Sequence, residues 1–226
     1  MASIAKLWCQ NKGFMLFVGL MLVFRSAVAD WNYVPSSSMN PTLFAGDRVL
    51  LDKRAYSLRL PFTLHEIARW DSPHAGDVIT FDSPEDGTNL IKRVVAVGGD
   101  TISMWNNTLT VNGQPVARQL EQEARLVPSE YGLLQEQIWR EHLGGKDIEV
   151  ARLPEQNRLT AFAPVQVPAG HVMVMGDNRD NSRDSRYIGF IDVHRVTGRA
   201  LRVVASFDPD RFYLPRADRW WLPLHL

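Results

Sequence analysis

The sequence has a single cysteine and no excess charge of either sign. Cys9 is the only cysteine among 226 residues, so an intramolecular disulfide and a cysteine-based zinc site are both excluded. Lys and Arg together number 25, as do Asp and Glu, so the formal net charge is zero. This balance lacks the basic footprint of a nucleic-acid-binding domain. The six histidines show no ligand spacing, so neither a metal nor another cofactor is expected.

A long hydrophobic run is also lacking. The apolar run Gly13 to Phe24 has only twelve residues, whereas a membrane-spanning helix needs roughly 20. Taken alone, it fits a cleavable secretory signal, because the small residues Ala27-Val28-Ala29 follow it. The segment from Gly13 to Val34 reaches the required length for a retained anchor if Arg25 and Asp30 extend to water or lie at the membrane interface. The lysines before the run stay cytoplasmic in both interpretations, so the remaining chain crosses the membrane.

Beyond residue 34 the sequence predicts a mainly β domain. Apolar runs are short, and each is bounded by Gly, Pro, Asn or Asp, which is typical of an antiparallel architecture. A hairpin is predicted at Asn106-Asn107. The predicted strands cover residues 48–52, 77–81, 90–97, 101–105, 108–111, 171–175, 188–192 and 196–204.

Residues 118–158 differ from the rest of this domain. They are rich in Glu, Gln and Arg, and the apolar positions between 130 and 143 have a helix-like spacing. We interpret the segment as an inserted lobe, and leave open whether it forms strands or a helix. The main β domain then comprises residues 30–117 and 159–226.

Three polar segments interrupt the apolar pattern. Residues 35–43 contain a Ser/Pro run that would usually be a linker, but it leads directly into a predicted strand. Lys92 shares a strand face with Leu90 and Val94. There it either extends to water or is buried with a lowered pKa, as a neutral amine base requires. Residues 175–189 are dense in Asp, Asn, Arg and Ser, which favours a packed polar turn over an exposed charged loop.

At these segments the sequence resembles the bacterial type I signal peptidases, also called leader peptidases. The resemblance extends from about residue 14 to 204, but Ser37 and Gly98 depart from it, since members commonly have glycine and proline there. The order and spacing of the motifs argue against chance agreement. The motifs are P-S-S-S-M-x-P-T-L-x-x-G-D at 35–47, G-D-V-I-T-F at 76–81, I-K-R-V-V-A-V-G-G-D at 91–100, V-N-G at 111–113 and G-D-N-R-D-N-S-R-D-S-R at 176–186.

The resemblance implies a serine protease with a Ser/Lys dyad. Ser38 would be the nucleophile and Lys92 the general base. Ser36 would share the oxyanion hole with the backbone N–H of Ser38, and Ser182 would orient the lysine through a hydrogen bond. The implied wall of the substrate pocket consists of Val34, Pro35, Met39, Leu43, Leu90 and Ile91. The implied structural ion pairs are Asp177 with Arg93 and Asp184 with Arg186.

The resemblance also implies a setting for this activity. The substrates would be signal peptides of exported preproteins, cleaved after a small-x-small sequence, with no cofactor. Residues 1–12 would be a cytoplasmic tail and residues 13–29 a retained transmembrane helix. A catalytic β domain, carrying the inserted lobe, would lie on the periplasmic or extracytoplasmic side of the bacterial inner membrane. Membrane lipid is an expected partner and nucleic acid is not; the oligomeric state is left open, with a monomer expected.

Two alternatives are weighed against this interpretation. A self-cleaving repressor-type protease also uses a Ser/Lys pair, but it should carry a DNA-binding helix-turn-helix before the serine. Only 37 residues, largely apolar, precede Ser38. A non-catalytic membrane-tethered binding domain would be recognised by loss of Ser38 or Lys92, and both residues are present.

Overall fold

The computed structural model describes residues 2–63, 65–129, 132–154 and 159–224. Helix α1 spans Ala2–Ala27, and the first strand begins two residues later at Ala29. Within those described ranges, no helix combines the length and apolar character needed to cross a membrane. The anchor at residues 13–29 stays a prediction.

Short strands make up most of the rest, and one short helix, α2 (Ser185–Ile188), lies late in the chain. The predicted mainly antiparallel β fold is confirmed. The strands are β1 (Ala29–Tyr33), β2 (Asp47–Asp52), β3 (Ser57–Arg59), β4 (Glu66–Arg69), β5 (Val78–Asp82), β6 (Asn89–Val97), β7 (Thr101–Trp105), β8 (Thr108–Val111), β9 (Gln114–Pro115), β10 (Arg118–Ser129), β11 (Gly132–Leu143), β12 (Lys146–Arg152), β13 (Phe162–Gln166), β14 (His171–Met175), β15 (Ile191–Asp192), β16 (Val196–Asp208), β17 (Leu214–Pro215) and β18 (Leu222–Pro223).

The main sheet runs in the order β1-β2-β16-β5-β6-β14-β15, and β17 and β18 also pair with β16. Strands β5 and β6 lie inside this sheet and are buried along most of their length. Their burial explains why the sequence there reads as continuous apolar runs rather than alternating ones. Val94 on β6 packs into one core cluster and its neighbour Val95 into another, so β6 contributes to the core on both faces.

A second sheet has the order β13-β7-β8-β9 and contains the predicted hairpin. Asn106 and Asn107 connect β7 to β8 with φ values of 47° and 58°, as a two-residue hairpin turn of type I′ requires. The hairpin prediction is confirmed. The predicted strand at 188–192 is only partly right, because Asp184 caps helix α2 in that region and β15 covers just two residues.

The inserted segment forms a three-stranded antiparallel sheet, β10-β11-β12. The question that the sequence left open is answered in favour of strands over the described residues of this segment, and the helix-like spacing of its apolar positions does not correspond to a helix. On β11 the buried positions include Glu136 and Glu141 as well as Ile138 and Leu143. These buried positions do not follow a single period of two, since 136 and 138 lie on one face of the strand and 141 and 143 on the other. Two of them also carry charge, so the sequence shows no alternation that would have predicted a strand.

Candidate active site

Ser38 lies between β1 and β2, beside the interior strand β6. Its hydroxyl Oγ is 2.7 Å from the amine Nζ of Lys92, although the two residues are 54 positions apart in sequence. The same Nζ contacts the backbone carbonyl of Ile91 at 3.0 Å. Lys92 is only 4 % exposed, so the protein shields its amine from water.

Burial alters the protonation of this amine. Desolvation lowers the pKa of Lys92 from 10.5 to about 8, because a poorly solvated site disfavours the charged form. The carboxylates of Asp184 and Asp177 act in the opposite direction, but each is already paired with an arginine. A neutral fraction sufficient for a general base is therefore present near neutral pH.

Ser36 lies on the solvent side of the same turn. Its Oγ is exposed and 3.4 Å from the Oγ of Ser38. A hydroxyl in this position can donate a hydrogen bond to a carbonyl oxygen that approaches Ser38, which is what an oxyanion hole requires.

Gly176 allows residues 175–189, the polar loop, to approach the segment that carries Ser38 closely. A Cβ added at Gly176 would overlap both the Oγ of Ser182 and the carbonyl oxygen of Ser38, so only glycine fits. The Oγ of Ser182 is buried and makes no hydrogen bond. The implied bond from Ser182 to Lys92 is thus not formed in this structure, where Ser38 and Ile91 contact the lysine amine instead.

Buried ion pairs hold the polar loop in place. Arg93 pairs with Asp177 at 2.7 Å, and Arg186 pairs with Asp184 at 2.8 Å, so both implied pairs are present. The guanidinium of Arg93 also donates to the carbonyl of Gly76. Because all four charged side chains are almost fully buried, each needs its partner to remain ionised at low cost.

A third buried ion pair was missed by the sequence analysis. Arg179 lies in the polar loop and contacts Glu141 of β11 at 2.6 Å, with side chains 1 % and 2 % exposed. It connects the loop to the inserted lobe. The charged residues themselves were visible in the sequence, but nothing in their spacing indicated a contact over 38 positions.

Asparagines of the polar loop contact Ser37 and Ser38 and were also missed by the sequence analysis. The backbone N–H of Asn178 donates to the carbonyl of Ser38 at 3.1 Å, and its side-chain Nδ2 donates to the carbonyl of Ser37 at 3.2 Å. The Nδ2 of Asn181 donates to the Oγ of Ser37 at 3.2 Å. The available signal was the density of side-chain amides in this loop.

The implied pocket wall is only partly accessible. Val34, Met39 and Leu43 are at most 2 % exposed and belong to one core cluster, so they present almost no surface to a substrate. Pro35 is exposed, and Leu90 and Ile91 are half-buried. The wall is corrected to these accessible positions, because the other three side chains turn inward to fill the core.

Comparison with known proteins decides the family. Residues 8–205 match the family described as "Signal peptidase, peptidase S26". The chain belongs to this signal peptidase family. The signal peptidase I of Pseudomonas aeruginosa is 36% identical over 223 residues, covering 92% of this chain and 76% of that protein. The signal peptidase I of Pseudomonas fluorescens is 34% identical over 222 residues with the same coverage, and that of Aquifex aeolicus is 31% identical over 226 residues, covering 84% and 81%.

Membership in the signal peptidase family makes the chain a serine endopeptidase, that is, a hydrolase. The predicted family is confirmed. A non-catalytic binding domain does not agree with membership in a peptidase family, and a self-cleaving repressor does not agree with the curated relatives, which carry the name signal peptidase I.

Proposed function

We propose that the chain removes signal peptides from exported preproteins, with Ser38 as nucleophile and Lys92 as general base. The observation that carries this proposal is the 2.7 Å contact between Lys92 Nζ and Ser38 Oγ, made by a buried lysine. A serine hydroxyl is a weak nucleophile and needs an adjacent base. Lys92 supplies one, since its pKa of about 8 leaves part of the amine neutral at physiological pH.

The proposed reaction proceeds through an acyl-enzyme. Neutral Lys92 accepts the proton of Ser38 while Oγ attacks the carbonyl carbon of the scissile peptide bond. The tetrahedral intermediate collapses, the new amino terminus leaves with the proton held by Lys92, and the signal peptide stays esterified to Ser38. Water then gives a proton to Lys92 as it attacks the ester, and Lys92 passes that proton to the departing Oγ of Ser38, which restores the hydroxyl and releases the signal peptide.

The proposed oxyanion hole consists of the Ser36 hydroxyl and the backbone N–H of Ser38. Both groups belong to the turn that carries Ser38, and the exposed side chain of Ser36 is accessible to a bound substrate. Such donors stabilise charge that develops on the carbonyl oxygen only in the transition state. Ser36 therefore contributes to kcat more than to substrate binding.

The proposed cleavage site is a small-x-small sequence. Pro35, Leu90 and Ile91 keep accessible apolar surface around the dyad. A shallow pocket of this kind accepts alanine-sized side chains and excludes larger ones by overlap. One methylene changes binding in a hydrophobic pocket by roughly 1–3 kcal/mol, so discrimination on this basis is graded rather than absolute.

The N-terminal segment is proposed to be a retained single-pass membrane anchor. Ala27-Val28-Ala29 resembles a cleavage site, yet Ala29 already belongs to β1 and pairs with Asp52 of β2. Asp30, on the other side of the scissile bond, pairs with Arg25 and Lys53. Cleavage after Ala29 would require this folded segment to open, which favours retention. Intact mass measurement of the membrane-bound protein tests it, and a species beginning at Asp30 would refute retention.

Incubation of the purified full-length protein with a signal-peptide-bearing precursor in detergent tests the activity. Wild type is expected to release a product whose new terminus follows a small-x-small sequence, as read by mass spectrometry. Ser38→Ala and Lys92→Ala should each be inactive while folded, and the double variant should be no worse than either one. Near-normal turnover by either single variant would falsify the dyad.

A further inference from the structure

Asn178 makes two contacts with the chain segment that carries the nucleophile. Its side-chain Nδ2 donates to the carbonyl oxygen of Ser37 at 3.2 Å, and its backbone N–H donates to the carbonyl oxygen of Ser38 at 3.1 Å. Ser37 also accepts a bond from the N–H of Asn40, at 3.0 Å, but that bond is local to the turn. The Asn178 bonds connect the turn to the polar loop that follows β14.

These contacts restrict the orientation of two groups in the proposed mechanism, the backbone N–H and the Oγ of Ser38. A peptide unit is planar and trans, so the N–H of Ser38 points opposite to the carbonyl of Ser37. Fixing the Ser37 carbonyl therefore fixes the direction of the Ser38 N–H, the proposed oxyanion donor. Fixing the Ser38 carbonyl restricts rotation within Ser38 itself, from which Oγ extends to Lys92. Asn178 thus holds the backbone on both sides of the Ser38 side chain, through the carbonyls of Ser37 and Ser38.

The cost of burying Asn178 indicates that its amide is kept for this contact. Asn178 is 3 % exposed, and its Oδ1 is buried with no hydrogen-bond partner. A buried, unsatisfied acceptor destabilises the folded state, so an apolar side chain of similar size would be less costly if packing alone mattered. What the amide adds is the Nδ2 donor to Ser37.

The inserted lobe holds Asn178 from the other side. Ala151 of β12 accepts from the N–H of Arg179 at 2.9 Å and donates to the carbonyl of Asp177 at 2.8 Å. These bonds pair Ala151 with Asn178 in a parallel bridge. The buried pair between Arg179 and Glu141 adds a second attachment to the lobe. Asn178 thus lies between the lobe and the nucleophile turn, and both neighbours of Asn178 are anchored.

We infer that Asn178 is a positioning residue for Ser38, and that the inserted lobe supports the nucleophile through Asn178. This inference rests on the proposed function of Ser38. Loss of the Nδ2 donor should leave substrate binding intact and misdirect the Ser38 N–H, so the loss should fall on kcat. Small displacements of catalytic groups cost up to about 100-fold in rate.

The test uses the full-length protein in detergent and a synthetic peptide with an Ala-x-Ala site. Asn178→Asp keeps the shape of the side chain but removes the donor, and Asn178→Ala removes the whole amide. We expect kcat to fall roughly 10- to 100-fold in both and KM to stay within about twofold. The pH midpoint of activity should be unchanged in Asn178→Ala, which adds no charge near Lys92. Glu141→Gln should change kcat in the same direction but less.

Ile102→Val is the matched control for stability. Ile102 is fully buried on β7 in the second sheet. The Ile102→Val protein should therefore have a lower melting temperature than wild type but the same kcat. The inference is overturned if a folded Asn178→Asp or Asn178→Ala variant keeps its kcat, or if the loss lies entirely in KM. A kcat loss of equal size in Ile102→Val would also overturn it.

Ser38→Ala, measured alongside, separates this inference from the proposed function. Turnover by Ser38→Ala overturns the proposed function and the inference with it. An inactive Ser38→Ala together with a fully active Asn178 variant overturns the inference alone.

Discussion

Two adjacent residues of β6 carry buried cations, and the two faces of the strand treat them differently. Lys92 and Arg93 are 4 % and 3 % exposed, and successive side chains of a strand point to opposite faces. Lys92 meets a hydroxyl and a carbonyl. Arg93 meets the carboxylate of Asp177 through two of its nitrogens, and its third nitrogen donates to the carbonyl of Gly76.

The difference shows that one strand presents a candidate base on one face and a structural ion pair on the other. Without an ion-pair partner, burial favours the neutral form of a lysine and so creates a base. With a bidentate carboxylate, a buried arginine remains charged and fixes the position of its partner. Here that partner, Asp177, lies one residue from Asn178, so the Arg93 face holds the loop that holds Ser38. The Lys92 face acts on Ser38 directly.

Methionine at each of the two positions should change stability in opposite directions. Arg93→Met removes one member of a buried pair and leaves Asp177 without its cation, which should cost roughly 3–5 kcal/mol. Lys92→Met removes a buried amine that prefers to be protonated, so stability should rise while activity is lost. Urea unfolding of both purified variants at pH 7 measures the two changes in the free energy of unfolding. A loss of stability in both variants would contradict the predicted difference between the two positions.

The pH dependence of the Lys92→Met gain follows from the sign of the pKa change. Folding lowers the pKa of Lys92 from 10.5 to about 8, so between these values the unfolded chain binds a proton that the folded chain does not. The penalty is complete below pH 8, on the order of 3 kcal/mol, and fades as the pH approaches 10.5. A gain in stability that is equal at pH 7 and pH 10.5 would point to packing instead.

Substitution of Ser36, which lies beside Ser38 and Lys92, should lower kcat without changing the free energy of unfolding. Its side chain is exposed, so Ser36→Ala should leave unfolding almost unchanged. The barrier should rise by roughly 2–4 kcal/mol, with KM little altered, if the hydroxyl donates to the oxyanion. Ser36→Thr keeps the hydroxyl and should recover part of kcat. Steady-state kinetics on the same peptide decides this, and an unchanged kcat in Ser36→Ala would exclude the hydroxyl as a donor.

The sequence was sufficient to predict that Ser38 and Lys92 lie together, because the order of the motifs and a lysine within an apolar strand can both be read directly from the residue order. The order placed Ser38 and Lys92 in one site, and their side chains are in contact in the structure. Strands bounded by turn residues were also predicted correctly, because the apolar run and the Gly, Pro, Asn or Asp that ends it are adjacent in sequence. The hairpin at Asn106-Asn107 is an example, with both residues at positive φ.

The remainder depended on contacts between distant segments. Glu141 is buried because Arg179 pairs with it across the lobe boundary, and a buried charge at this position also helped to conceal strand β11. Met39 and Leu43 were assigned to the pocket, yet in an irregular turn no alternation indicates which side chains face inward. The support given by Asn178 could not be predicted, since it depends on where the loop folds back.

The pH profile of activity tests whether Lys92 acts as the general base. A general base works only when neutral, so kcat/KM should increase about tenfold per pH unit below the pKa and level off above about 8, the value to which burial lowers the pKa of Lys92. The measurement is the initial rate on the synthetic peptide over a pH series. Flat activity down to pH 6 would mean that Lys92 is not the base whose protonation limits the rate.

The smallest expected effect lies at Ser37, the residue before Ser38. Ser37 Oγ accepts from Asn181 Nδ2 at 3.2 Å, at an exposed site that adjoins Ser38. An exposed neutral hydrogen bond contributes about 0.5–1.5 kcal/mol, so Ser37→Ala and Asn181→Ala should each lower kcat only severalfold. The double variant should be no slower than the worse single one, because both remove the same bond. Ser37→Gly should be somewhat slower than Ser37→Ala, since glycine also frees the backbone next to the nucleophile. Additive losses in the kinetic double-mutant cycle would show that the two side chains act separately, and the nucleophile turn would then depend on Asn178 and the Arg93 face alone.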